Sequence, residues 1–250
     1  MRIIKSFILS IPYSIALVFL WFSISSILRI RPNPYVGKSI KAISGKDRDN
    51  ITLEDLLHMN RDQLVGIFHQ LPAPGFEEMH GEFKALILDV GNPLMQLNSD
   101  IYLNRLWGRW IAKAFEPAGE NRGHGYNVFR VSERAKTNED VIPAYIDWTL
   151  RSLKDFFMGK ADEKEVRIIR NKTRIGDSIY DNRKSFHLEY HDYTPFPTST
   201  MKDEVRKLND NLYLSLGILT ISFGKRNICP FVLIGPPAKW VGPDEGYQEG

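Results

Sequence analysis

Residues 6–28 carry no charged side chain and consist mainly of Ile, Leu, Phe, Val and Ser. At about 1.5 Å per residue, a helix of that length reaches across a hydrocarbon core of roughly 30 Å. Such a run constrains the rest of the chain, because whatever follows is then tied to a bilayer. A cleaved signal peptide is the rival reading, but its apolar region runs to about 7–15 residues and ends in a small-residue cleavage site. Here the run is longer, contains Phe19, Trp21 and Phe22, and ends at Ser25, Ser26, Ile27 and Leu28 with no such site. Pro12 falls within the first two turns, where a helix tolerates it best. Arg2 and Lys5 precede the run, while Arg29, Arg31, Lys38 and Lys41 follow it, so charge counting does not fix the orientation. We favour a cytoplasmic tail with the domain outside, as is common for a short N-terminal anchor.

The sequence pI near 8.8 suggests a basic protein, and the anchor accounts for it. Four of the 33 Lys and Arg residues, and none of the 30 Asp and Glu, lie in residues 1–31. The remainder holds 29 basic against 30 acidic residues, a net charge of −1. A nucleic-acid binder needs a basic surplus in the domain itself, so that partner class is not expected. Cys229 is the single cysteine and sits in an apolar string, which excludes an intrachain disulfide and points to a buried thiol.

Organisation follows from pattern. Residues 1–31 read as the anchor with its flanking charges. Residues 32–51, with Pro32, Pro34, Gly37 and Gly45, read as a linker. Residues 52–236 read as the domain and 237–250 as a tail. Thr52 with Asp55, and Asn60 with Gln63, have the spacing of capping boxes before two short helices. From residue 78 the period changes to that of a strand. Residues 94–115 carry one broad apolar stripe and are expected to be helical, whereas 145–157 suit either a strand or a helix. Strand candidates then recur at 126–131, 165–180, 185–191, 204–208, 212–222 and 231–234. They are joined by turn signals at Asp181-Asn182 and Asn209-Asp210-Asn211. About seven antiparallel strands with short turns predict an α+β chain: an N-terminal transmembrane helix, then a mainly antiparallel β-barrel or strongly curved sheet with covering helices. Barrels of about eight strands have room for one small ligand.

Candidate chemistry is sparse. His187, Glu189 and His191 alternate along one strand, but residues four apart on a straight strand lie roughly 13 Å apart, too far to share a zinc ion. A solvated polar face is the expected role, so no metal site is assigned. The glycine-rich stretch 119–125 lacks the lysine and the strand-to-helix context of a phosphate loop, and no G-x-S-x-G motif or cofactor fingerprint is present. Alternation places Phe186, Leu188 and Tyr190 on the face opposite the histidines, towards the barrel interior. On that pattern Leu188→Ala should be costly and His187→Ala should change stability by no more than about 0.5 kcal/mol. Arg174 and Arg206, read as lying on opposed strands, could meet an anionic head group, although cross-strand ion pairs are the more ordinary role. With Tyr213 they complete a candidate ligand-binding set of Arg174, Phe186, Leu188, Tyr190, Arg206 and Tyr213.

The strings at 79–85, 125–130, 173–178 and 185–190, with 203–206 and 212–214, resemble an uncharacterised bacterial family of single-pass membrane proteins with lipocalin-like small barrels. The resemblance spans roughly residues 52–236. It implies a barrel in the periplasm behind an inner-membrane anchor, and it brings no catalytic residue or cofactor. Three functions follow as expectations. The first is a membrane-anchored module that binds a small apolar or amphipathic ligand such as a lipid. The second is an enzyme using the acids and histidines of the 174–191 hairpin. The third is an envelope interaction protein whose barrel is filled.

Overall fold

A computed structural model describes residues 32–91, 93–136, 140–220 and 224–244. The expected spanning segment lies outside the described residues, and among those described no helix is long and apolar enough to cross a membrane. Eight antiparallel strands close into a barrel in sequence order. They are β1 (Gly81–Ile87), β2 (Arg109–Pro117), β3 (Gly123–Ser132), β4 (Glu163–Asp177), β5 (Lys184–Glu189), β6 (Met201–Lys207), β7 (Leu212–Leu219) and β8 (Cys229–Ala238). β8 pairs with β1, Leu86 opposite Val232, which removes the free edges that an open sheet would expose.

The antiparallel order gives the barrel two unlike ends. Short turns at 118–122, 178–183 and 208–211 lie at the lower end. The long connections, 88–108, 133–162, 190–200 and 220–228, all lie at the upper end.

Three short helices cover the outside of the barrel: α1 (Ile40–Ser44), α2 (Leu53–His58) and α3 (Arg61–Phe68). Both capping boxes are made. Thr52 and Asp55 exchange side-chain-to-backbone bonds, as do Asn60 and Gln63, each cap stabilising its helix by about 1 kcal/mol. Leu56, Leu64, Ile67 and Phe68 pack on Leu212, Leu214, Leu216 and Val232. β7 is therefore apolar on both faces, which explains its unbroken run Leu-Tyr-Leu-Ser-Leu-Gly-Ile-Leu. α1 falls in the stretch read as a linker, and its Ile43 is buried in the same cluster. Trp240, in the tail, packs on Tyr126 with its ring tilted by 46° and 4.6 Å between ring centroids.

Two segments differ from the sequence reading. The expected helix over 94–115 ends early: α4 covers Pro93–Ile101, a π-helical turn follows over Tyr102–Leu106, and Trp110, Ile111 and Phe115 belong to β2. Gly108 breaks the helix at φ 108°, and a Cβ there would lie 2.6 Å from the Arg130 carbonyl oxygen, so the turn onto β3 requires glycine. The ambiguous stretch 145–157 is helical, within α5 (Val141–Met158). The seven strand candidates become eight because β2 was hidden inside the apolar stripe of the expected helix.

Candidate functional site

The lower half of the barrel is closed by rings. Phe83 lies edge-on to Tyr213 at 5.4 Å, Phe115 edge-on to Phe186 at 5.3 Å, and Phe76 plugs the opening 5.6 Å from Phe186. Phe186, Leu188 and Tyr190 thus point inward, as alternation expected, and Tyr213 packs in the same interior cluster. Phe186 and Tyr213 belong to this packed layer, while Tyr190 belongs to a polar network above it.

That network centres on Lys113, which is buried. Its ammonium donates to Asn127 Oδ1 at 2.9 Å and to Tyr190 Oη at 2.6 Å, and lies 2.9 Å from Asp203 Oδ2. Tyr190 donates to the same carboxylate oxygen at 2.7 Å. Three ammonium protons therefore meet three acceptors, the condition under which a buried cation is tolerated. Burial pushes the Lys113 ammonium below its ordinary range, with Asp203 pulling it back up, and burial followed by Asp203 raises the Tyr190 phenol far above its own. Gly217 pairs with Asp203 and makes room for the carboxylate, since a Cβ there would lie 2.7 Å from Oδ1. Asn127 also donates to the Ile169 carbonyl at 3.0 Å. Ile169 sits at φ 57°, a strained value for a β-branched residue, where β4 skips one residue against β3. The network thus holds the bulge as well as the charge.

The two arginines of the candidate set are on the outer face and do not meet. They lie on β4 and β6 with β5 between them, which corrects the reading of opposed strands. Arg174 donates to Glu189 at 2.8 Å in an exposed pair. Arg206 is fully buried beneath α3. It donates to the Phe68 carbonyl at 3.0 Å and holds Asp181 through bonds of 2.8 and 2.6 Å. Burial would raise the Asp181 carboxyl, but Arg206, His69 and the Arg183 backbone N–H outweigh it and hold the group well below the usual carboxylate range. A lowered folded-state value means that this pair's contribution is complete above the unfolded value of about 3.9 and is lost as pH falls below it. Asp181→Asn should therefore flatten the fall in unfolding free energy below about pH 4, measured by urea titration across pH.

The hairpin histidines depart from the expected solvated face. His187 points outward but is buried against Glu204, with 3.8 Å between Nδ1 and Oε1. The turn over 178–183 folds across this face, and the Ile179 N–H donates to Glu204 at 2.7 Å. Burial lowers the His187 imidazole, partly offset by Glu204. His187→Ala should therefore cost about 1–3 kcal/mol in chemical denaturation, more than an exposed residue would, because Glu204 stays buried without that neighbour. His191 is exposed beside Asp192. Among the described residues there is no group of three or more His, Cys, Asp or Glu side chains able to hold a metal ion.

Above the network, a narrow cleft lies between the barrel mouth and α5; it opens to solvent on one side, and its enclosed space of about 10 Å³ holds about one water molecule. Leu106, Trp107, Val131, Ala144, Val166 and Ile168 form its apolar wall, with Arg151 and Lys136 beside them. Arg151 is held by Asp147 at 2.6 Å. The buried indole N–H of Trp107 has no hydrogen-bond partner among the described residues. Sequence reasoning missed both the network and the cleft. Lys113 was assigned to a helix, and the cleft forms only when the 133–162 connection folds back over the mouth.

The chain matches no family model, and no curated protein matches it. It is similar to a solved crystal structure of a protein from Thermomonospora curvata, at 13% identity over 71% of this chain and 88% of that chain, with a TM-score of 0.43. At that likeness the comparison carries no functional argument. The closed eight-stranded barrel agrees in outline with the small-barrel fold that the sequence resemblance implied.

Proposed function

We propose that this chain is a membrane-anchored binding module for a small, slender amphipathic molecule of lipid character, taken in between α5 and the barrel mouth by displacement of that helix and not held in the barrel interior. One observation carries the reading: Trp107, a residue of the apolar cleft wall, holds a buried indole N–H that has no hydrogen-bond partner among the described residues. Binding sites typically combine apolar walls with a few polar groups that fix orientation, and leaving a buried donor unmet costs about 1–3 kcal/mol. A ligand oxygen within reach of that indole would remove the cost. The aromatic layer and the saturated Lys113 network fill the interior below, which is why the mouth is the place for the ligand. A catalytic use of the hairpin acids and histidines has less support, since Arg174 with Glu189 and Lys184 with Asp177 are ordinary cross-strand pairs.

The described core contacts close within residues 32–244, so the chain shortened to residues 32–250 suits a binding assay. It should bind the fluorescent fatty acid cis-parinaric acid, and Ala144→Phe, which fills the cleft and leaves the outer face of α5 unchanged, should weaken binding about ten-fold, or 1.4 kcal/mol. Equal affinity in the two proteins, with equal melting temperatures, would remove the cleft from consideration.

A further inference from the structure

We infer that the upper end of the barrel lies on the bilayer surface, with α5 embedded along the interface as an amphipathic helix. The inference rests on the membrane-anchored reading above and adds to it an orientation and a contact surface.

The first observation is the outer face of α5. A surface helix normally turns its apolar stripe to the core. Here the buried positions include Ala144 and Arg151, while Ile142, Tyr145, Ile146, Leu150, Leu153 and Phe157 are exposed. At 100° per residue these six fall within an arc of about 140° that contains no charged residue. Phe156, on the same arc, is 82% exposed and Phe157 79%. A continuous apolar face of this kind marks an interaction site.

The second observation is position. Phe196, in the 190–200 connection, is 70% exposed, and Leu97 of α4 is also exposed. Both belong to the upper-end connections, as α5 does. The lower end instead presents polar turns such as the one carrying Asp210, 97% exposed in its side chain.

The third observation selects the occupant. The chain enters the domain at the upper end. Asn33 donates to the Asp62 carbonyl at 2.9 Å, and the neighbouring Arg61 N–H donates to Asp89, just past the end of β1. Four residues separate Asn33 from Leu28, where the uncharged stretch ends, which makes five residue-to-residue steps. Even fully extended they span no more than about 18 Å. An anchor on so short a tether brings this apolar end, and not the polar one, against the membrane. An interfacial helix buries its apolar face about 5–10 Å into the headgroup and acyl boundary. The charges flanking α5 are mixed, Asp140 and Asp162 with Lys160 and Lys164, so the contact needs no anionic lipid.

The test uses the full chain in phosphatidylcholine nanodiscs loaded with a single copy. An environment-sensitive dye is placed at Ile146→Cys on α5 or at Lys184→Cys on the lower end, each with Cys229→Ala. Brominated lipid should quench the first dye about two-fold or more, as expected for a group at the acyl boundary, and leave the second unchanged. Adding Leu153→Glu and Phe157→Glu should bring the first dye to the level of the second while the chain stays in the disc. A chain that stays in the disc with both dyes equally unquenched overturns the docking and leaves the anchor standing. So does a dye at 146 that is shielded from water without being quenched by lipid, which would mean that protein covers the face. A chain that does not enter the disc overturns the anchor and the docking together.

Discussion

Lys113→Met should lower the unfolding free energy by about 3–5 kcal/mol in urea denaturation, the range for removing one partner of a buried ion pair. The ammonium is enclosed by the barrel and is the cation that faces Asp203 across the interior, at 2.9 Å. Methionine fills much of the same volume, so lost packing is a small part of the cost. What remains is a buried carboxylate that still accepts from the Tyr190 hydroxyl, and an Asn127 oxygen that has lost the ammonium. The double variant Lys113→Met with Asp203→Leu removes both charges and should recover most of the loss, because apolar replacement of a whole buried pair is often neutral or stabilising. A single variant that loses less than about 1 kcal/mol, the range of an exposed pair, would mean that water reaches the network.

Phe186→Ala should cost about 3–5 kcal/mol, the range for truncating a buried aromatic side chain. Phe186 is buried between Phe115 and Phe76 at the lower end of the barrel. The surrounding strands belong to a closed ladder and cannot collapse into the gap, which places the loss in the upper part of that range. The same substitution should leave cis-parinaric acid binding unchanged within about two-fold, or 0.4 kcal/mol, since the cleft is at the other end.

Much of the barrel was legible because half-buried strands alternate and tight turns have a chemistry of their own. Residues 185–190 show this best: Phe186, Leu188 and Tyr190 were placed inward from spacing alone, and they lie there. The two capping boxes were legible for the same local reason. The failures have a common cause in tertiary context. Trp110, Ile111 and Phe115 matched a helical stripe because β2 is covered on both faces, by the interior and by the patch of Tyr126 and Val128, so no polar face marked its period. Nothing in its own strand marks His187 as buried, because it is the turn over 178–183 that folds across its face. The polar interior was the least legible part. Lys113, Asn127, Tyr190 and Asp203 are separated by up to 90 positions in sequence, and each taken alone is an ordinary polar residue on a strand. Only the closing of the barrel brings them together.

The central claim is that a lipid-like ligand sits in the cleft between α5 and the barrel mouth. The most direct measurement is photo-crosslinking of a diazirine-bearing fatty acid to the chain of residues 32–250, followed by peptide mapping. The expected label falls on peptides that contain Leu106 and Trp107, Ala144, and Val166 and Ile168, the cleft wall, and it declines in Ala144→Phe. Label on the outer face of α5 alone, on the lower-end turns, or at the same level in Ala144→Phe would contradict the account.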